Sequence, residues 1–268
     1  MITEMADHTT GLTAAASQLL QITNDLEGCR ILLDAGDHYR RNGASEQAIH
    51  CYNKAIEDLT DKQGTDAHRL FIQTVIRYSK DRQSMGKPEI TASLLKQALD
   101  RCKALNDDAL HAILLLRMAS VAYVQMAHQA AQHYFLKGRA MAEKSTDPLV
   151  MKTLDACTVV HYCYSGRFKD AIKQYESIES GFSKKTPAYT PSFRVGVILG
   201  LSYAGIGEIS QGLGMVNQLR DDALAFNDED AAARGTIFIA WILIIKNDIK
   251  NAAKQISDTL KSSKKLRS

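Results

Sequence analysis

Residues 30–59 read RILLDAGDHYRRNGASEQAIHCYNKAIEDL and contain both helices of a hairpin with the turn between them. Apolar and small residues are spaced three and four apart in each half, which places them along one face of each helix. Gly43 can adopt the left-handed conformation that ends a helix, and Ser45 can cap the helix that follows. The segment therefore predicts two antiparallel helices joined by a short turn.

Small residues have a packing role in this hairpin. We expect Gly36 and Ala48 to lie where the two helices approach most closely, since a larger side chain there would push the helices apart. Tyr39 and Tyr52 then fill the space beside them.

Similar turns recur along the chain at a spacing of about 40 residues. They are Asn42-Gly43, Met85-Gly86, Met126-Ala127, Ser165-Gly166, Ile206-Gly207 and Lys246-Asn247. A period of this size predicts a stack of helical hairpins, and such stacks are usually binding surfaces rather than catalysts.

The first hairpin resembles a tetratricopeptide repeat. The residues in register with that pattern are Leu32, Ala35, Gly36, Tyr39, Ala48, Tyr52 and Ala55. The longer period is similar to that of the repeat domains of large bacterial signalling ATPases and maltose-type transcription activators. The resemblance implies an all-α fold, a right-handed superhelical stack of about six antiparallel helical hairpins. It also implies a regulatory role within a larger protein. The sequence has no phosphate-binding GxxxxGK[ST] motif, so an ATPase module of that protein would lie outside this chain.

The domain organisation predicted from this resemblance has three parts. Residues 1–28 form a capping helix, residues 29–260 form the repeat array, and residues 261–268 form a basic tail. A basic tail can contact nucleic acid or an acidic lipid surface, but we interpret this one as a solvated terminus.

Composition and motifs exclude several classes of function. The net charge is only +3, with acids and bases interspersed, and no aromatic and basic residues alternate to bind bases, so direct nucleic-acid binding is not expected. The most apolar stretch, residues 236–245, is about half the length of a membrane span, which predicts a cytoplasmic protein without a membrane segment. The sequence has no nucleophile, zinc or dinucleotide motif and no CxxC pair, so we expect no enzyme, no cofactor and no metal.

In tetratricopeptide stacks the first helix of each hairpin lines a concave groove, and the register implies which residues line it here. The predicted partner-binding residues are Asp37, Arg40, Gln73, Arg77, Lys80, Arg117, Tyr123, Tyr164 and Arg194. Chaperone-binding members of the family hold a carboxylate with Lys and Asn, whereas this chain has Leu33 and Asp37 at the corresponding places. We therefore do not expect it to bind chaperone tails, although its groove arginines can pair with the carboxylates of an acidic peptide.

Two functions remain open from the sequence. The first is a protein-interaction and signal-relay module that binds a protein or peptide in the groove and self-associates through its terminal repeats. The alternative is a small-molecule sensor, in which an apolar half of the groove with Val197, Leu201 and Phe238 closes on a metabolite. Trp241 has apolar neighbours on all sides and is interpreted as a core residue.

Overall fold

The computed structural model describes residues 2–80, 88–178, 191–225 and 228–265. Within these residues all regular secondary structure is α-helical, so the predicted all-α class is confirmed. The helices are α1 (Ile2–Leu19), α2 (Leu26–Arg41), α3 (Ser45–Leu59), α4 (Thr65–Lys80), α5 (Pro88–Lys103), α6 (Asp108–Val124), α7 (His128–Ala142), α8 (Pro148–Tyr164), α9 (Phe168–Ile178), α10 (Pro191–Gly205), α11 (Ile209–Ala225), α12 (Glu229–Ile245) and α13 (Ile249–Lys265).

The chain divides into two compact units, residues 1–151 and residues 152–268. In the first unit, consecutive helices pack on one another from α1 through to α7, and α4 also packs on both α2 and α6. The first helices of the three hairpins therefore form one layer, as expected of a helical repeat stack. Its core contains the fully buried side chains of Leu32, Phe71, Leu114 and Phe135.

The α2–α3 hairpin closes where the sequence predicts. Ala48 and Tyr52 are completely buried, and a Cβ atom added at Gly36 would lie 2.8 Å from Cδ1 of the Tyr52 ring. Glycine at position 36 therefore leaves room for the tyrosine ring. The prediction for Ser45 is wrong: the N-cap of α3 is Ala44, without a side-chain cap, and Ser45 is the first helical residue.

Five of the six predicted turns lie in the described residues, and each contains a residue with positive φ. These residues are Gly43, Met126, Gly166, Gly207 and Asn247, with φ between 58° and 95°. Each of these turns also has a backbone hydrogen bond across five residues, such as Ala44 N–H to Tyr39 O at 2.9 Å, the Schellman closure of a helix end. The turn at Met85-Gly86 lies outside the described residues, and a regular period along the whole chain stays a prediction.

Arg101 joins three helices of the first unit. Its guanidinium carbon lies 3.8 Å from the centroid of the Phe71 ring, and its Nη1 donates a hydrogen bond to the Leu59 carbonyl at 3.1 Å. Because these partners lie on α4 and at the end of α3, α5 is held against both helices.

In the second unit, each helix from α9 to α13 packs on the next, and α10 also packs on α12. Val197, Val216, Ile239 and Ile242 form part of its core. The interpretation of Trp241 as core is wrong, because its side chain is 41% exposed.

The ends of the chain are helical where the structure describes them. Helix α1 packs on α2, in the place predicted for a capping helix. Helix α13 continues to Lys265, so most of the predicted basic tail extends a helix, and residues 266–268 lie outside the described residues. The three-part domain division stays a prediction.

Candidate functional site

The carboxylate of Asp37, on α2, joins groups from three helices of the first unit. Its Oδ1 accepts a hydrogen bond from the Tyr52 hydroxyl of α3 at 2.8 Å. Its Oδ2 accepts from Nε of Arg77, on α4, at 2.8 Å. Nη2 of Arg40 lies 3.8 Å from Oδ1, one helical turn along α2. Burial and the nearby Asp37 carboxylate raise the pKa of Tyr52, which keeps its hydroxyl a donor.

Arg40 and Arg77 pair with this carboxylate, and their charges, with that of Arg117, act on Lys80; we call Arg40, Arg77, Lys80 and Arg117 the basic cluster. Burial and the charges of Arg117, Arg40 and Arg77 together lower the pKa of Lys80 to about 7, although Asp37 opposes this effect. The ammonium of Lys80 is therefore disfavoured first by its burial and then by the positive charges of Arg117, Arg40 and Arg77.

The side chains of the basic cluster are only partly exposed to solvent. The side chains of Arg40 and Arg77 are 24% and 31% exposed, and that of Asp37 is 23% exposed. Nε of Arg40 is buried and has no hydrogen-bond partner within the described structure. Solvent screens charges in such a position less than charges on an open surface, yet a ligand can still reach the guanidinium groups.

The basic cluster arises from equivalent positions on the first helices of successive hairpins. Asp37 and Arg77 are 40 residues apart, and the same step leads from Arg77 to Arg117. Arg40 and Lys80 are a second pair with this separation. Since α2 packs on α4 and α4 packs on α6, these positions come together across the layer.

The structure brings together five of the nine residues that the sequence predicts for partner binding. They are Asp37, Arg40, Arg77, Lys80 and Arg117. Gln73 is half-buried one turn before Arg77, and its carbonyl accepts a hydrogen bond from Arg77 Nη1 at 3.4 Å.

Tyr123 does not line a surface, contrary to the prediction. Its side chain is only 3% exposed, and its ring centroid lies 6.2 Å from that of His128. Because apolar residues of α6 are buried on nearly every side of the helix, the aromatic ring is part of the core, and we remove it from the site.

Tyr164 and Arg194 belong to the second unit. Tyr164 is half-buried at the end of α8, and the side chain of Arg194 lies outside the described residues. Their assignment to partner binding stays a prediction.

Tyr52 is the residue of the site that sequence reasoning missed. The repeat pattern predicts where its ring lies, but assigns the ring only a packing role. The sequence does contain a signal for this contact: a tyrosine at this position faces an aspartate on the neighbouring helix. Because a buried hydroxyl needs a hydrogen-bond partner, that combination predicts a bond between the two side chains.

The residues predicted for an apolar groove lie on two helices of the second unit, α10 and α12, and a closed groove there stays a prediction. Val197 is 3% exposed and lies in the core. Phe238 packs against Trp241 with ring centroids 5.6 Å apart, and Ile237 on the same helix is 49% exposed. Ile237 and Trp241 therefore leave apolar surface exposed along α12.

Within the described part of the chain, little supports a metal site, a membrane span or a reactive cysteine. It contains no group of three or more His, Cys, Asp or Glu side chains placed to hold a metal ion. None of the helices searched combines the length and apolar character that a bilayer crossing requires. Burial raises the pKa of the Cys51 and Cys163 thiols to about 11, so both are protonated at neutral pH and are weak nucleophiles.

No protein-family model matches the chain, and no curated protein matches its sequence. Among solved structures, a Rap protein complexed with Competence and Sporulation Factor is similar, with a TM-score of 0.61 and 15% identity over 97% of this chain and 70% of that one. The apo form of RapI has a TM-score of 0.64 and 11% identity over 96% of this chain and 91% of that one. Aspartyl phosphate phosphatase F from Bacillus subtilis has a TM-score of 0.55 and 16% identity, over 93% of this chain and 63% of that one. At these identities the similarity is one of fold, and the fold is that of a TPR-like helical repeat protein, as predicted.

Proposed function

We propose that this chain is a non-catalytic protein–protein interaction and signal-relay module, and that the layer formed by α2, α4 and α6 binds an acidic segment of a partner protein. The observation that carries the proposal is the basic cluster, in which Arg40 and Arg77 pair with the Asp37 carboxylate and the charges of Arg40, Arg77 and Arg117 act on Lys80. Such a concentration of cationic side chains favours a ligand that brings negative charge.

The residue types suit this role. A guanidinium group can donate two parallel hydrogen bonds to a carboxylate. These bonds attract the carboxylate and also fix its orientation. Exposed ion pairs contribute little because water and salt screen them. The half-buried arginines of the basic cluster gain more from a paired anion, since part of their solvent has already been removed.

The comparisons support a role in binding signalling proteins or peptides. A Rap protein of similar fold has been solved in complex with Competence and Sporulation Factor, so this fold can hold a signalling factor. For the present chain we propose the corresponding use, as the regulatory repeat part of a larger cytoplasmic signalling or transcription regulator. For self-association we propose the terminal repeats, of which helix α13 exposes Ile249 and Leu260.

The proposal is tested by fluorescence anisotropy with three labelled peptides of equal length, rich in glutamate, glutamine or lysine. We expect only the glutamate-rich peptide to bind and its affinity to fall with added salt. Replacing both Lys80 and Arg117 by methionine removes two cations and should weaken binding at least about tenfold, the equivalent of about 1.4 kcal/mol.

Lys103→Met is the matched control. Lys103 is on α5, its side chain is 71% exposed, and it pairs with Asp100 rather than with the basic cluster. We expect this variant to bind like the wild type. Equal binding of all three peptides, or an unchanged affinity in the double variant, would overturn the proposal.

A further inference from the structure

The hairpins α10–α11 and α12–α13 of the second unit are equivalent to each other at a step of 40 residues. Helix α11 begins at Ile209 and helix α13 begins at Ile249. The turns before these helices contain positive-φ residues with the same separation, Gly207 and Asn247. These two hairpins can therefore be compared residue by residue.

One apolar face of α10–α11 receives the helix that follows it, because α12 packs on both α10 and α11. The residues of this face belong to the core cluster that includes Ile239 and Ala240 of α12, or pack against it. They are Val197, Leu201, Ala204, Ile209, Leu213 and Val216. The face therefore shows what an occupied stacking surface looks like in this unit.

The equivalent face of α12–α13 is also apolar at every position, but it is exposed. Its residues, which we call the terminal face, are Ile237, Trp241, Ile244, Ile249, Ala253 and Ile256. The five large side chains among them are between 40% and 55% exposed, whereas Val197, Ala204 and Val216 of the preceding hairpin are at most 3% exposed. A surface that buries a helix in one hairpin is thus open to solvent in the next, and contiguous exposed apolar patches mark interaction sites.

We propose that the terminal face is the interface of a two-fold homodimer, in which it packs on the same face of a second copy of the chain. The inference rests on the proposed function, since it assigns a surface and a symmetry to the proposed self-association. The occupant of the equivalent face within the chain is a helix with apolar residues along its surface. The terminal face of a second copy presents two such helices.

The spacing of residues along α13 favours a second copy as the occupant. Ile249, Ala253, Ile256 and Leu260 are exposed and lie four, three and four residues apart, the spacing of a coiled-coil seam. This stripe is the same in both directions. Two antiparallel copies of α13 therefore place Ile249 opposite the partner's Leu260 and Ala253 opposite the partner's Ile256, as an interface with two-fold symmetry requires.

The charges of α13 are compatible with this antiparallel pairing. Around the same two-fold axis, Lys250 lies opposite Thr259 and Lys254 lies opposite Gln255. Neither lysine faces a like charge. In a parallel pairing each lysine would face its own copy, and such a juxtaposition of like charges is unfavourable.

The packing of α1 favours a two-fold contact over a head-to-tail one. A head-to-tail assembly needs two different complementary ends, whereas a two-fold contact uses one face twice and stops at a dimer. Helix α1 packs on α2 and so covers the start of the repeat array in the first unit. We therefore assign the terminal face to contact with itself.

Sedimentation velocity of the 268-residue chain at about 1–100 μM tests the proposal. We expect a dimer that dissociates on dilution and no larger species. Replacing both Ile249 and Ile256 by glutamate places charges in the apolar contact and should weaken dimerisation at least about tenfold. Leu136→Glu is the matched control: Leu136 is 52% exposed but lies on α7 of the first unit, so this variant should dimerise like the wild type.

Disulfide cross-linking tests the antiparallel arrangement independently of the glutamate variants. A mixture of Ile249→Cys and Leu260→Cys chains should give a cross-linked dimer, whereas neither variant alone should. In the antiparallel pairing the two copies of position 249 lie about 16 Å apart along the helix, the rise from residue 249 to residue 260. A disulfide spans at most about 7 Å between Cα atoms. The native cysteines are buried and do not interfere.

The remaining outcomes each overturn a specific step. A monomer at every concentration would overturn self-association, and anisotropy titration with the glutamate-rich peptide tests acidic-segment binding separately. A dimer that persists in the glutamate double variant, shown to be folded by its thermal melt, would place the contact on another surface. Growth beyond the dimer would exclude two-fold symmetry, and efficient cross-linking of Ile249→Cys with itself would exclude the antiparallel pairing.

Discussion

The hairpins α2–α3 and α10–α11 both use glycine to bring two helices together, but they fill the space differently. In α2–α3, a Cβ atom at Gly36 would meet the ring of Tyr52, so the space holds a side chain. In α10–α11, a Cβ atom at Gly212 would meet the carbonyl oxygen of Gly200 and lie 3.2 Å from the backbone nitrogen of Ala204. There the space is taken by the opposing backbone.

This difference distinguishes the hairpin that contains part of the proposed site from a hairpin in which the two helix backbones pack directly. The hydroxyl of the enclosed Tyr52 reaches Asp37 and so joins the basic cluster to the core. In the α10–α11 hairpin the two helix backbones contact each other directly, and Val216 packs beside Gly200. The same small residue can thus support recognition or packing, depending on what the facing helix presents.

The largest effect is expected for Gly212→Ala. The added methyl would collide with backbone atoms of α10, which cannot move aside as a flexible side chain can. We expect a loss of about 2–3 kcal/mol in the free energy of unfolding, within the range for overpacked cores, despite the better helix propensity of alanine. Urea denaturation measures this loss, and a stability equal to wild type would show that the helices separate at little cost.

A smaller loss is expected for Gly36→Ala, because the colliding group is a side chain. The Tyr52 ring is completely buried and can shift only slightly, so we expect a loss of about 1–2 kcal/mol. Displacing the ring also moves its hydroxyl from Asp37, so affinity for the glutamate-rich peptide should change together with stability. If Gly36→Ala changed stability alone, the hairpin would be scaffold, like α10–α11.

Removing the hydroxyl in Tyr52→Phe tests the polar contact without altering the packing. Loss of one hydrogen bond to a mostly buried carboxylate should lower the free energy of unfolding by about 1 kcal/mol. Asp37 keeps its bond to Arg77, so we expect a change in peptide affinity smaller than that of the double variant in which Lys80 and Arg117 are replaced by methionine. Parallel urea melts and anisotropy titrations measure both effects.

The smallest effect is expected for Gly214→Ala, and its sign is opposite. Gly214 lies two residues after Gly212 on α11, is exposed, and has open space where a Cβ atom would be added. Alanine should therefore stabilise the helix by about 0.5–1 kcal/mol. This variant is the internal control for Gly212→Ala: a loss of stability here would mean that any methyl on α11 is harmful.

These two hairpins also show how far sequence reasoning reaches. The register of the repeat predicted that Gly36 and Ala48 lie at the closest approach, with Tyr39 and Tyr52 filling the space beside them. The structure places the Tyr52 ring against Gly36 and buries Ala48 completely, whereas Tyr39 is half-buried. The same register wrongly placed Tyr123 on a surface and Trp241 in the core. A helical period fixes the angle of a side chain around its own helix, but exposure depends on which neighbouring helices cover that angle.

The sequence by itself determined the helices, the five described turns and the small residues that let helices approach, because these depend on local backbone preferences and on periodic patterns within about 30 residues of chain. It also identified all four cations that form the basic cluster. Only the tertiary structure decided that Arg77 pairs with Asp37 across 40 residues and that the pKa of Lys80 falls to about 7. Those properties depend on solvent excluded by other helices and on charges from distant parts of the chain, neither of which a local pattern encodes.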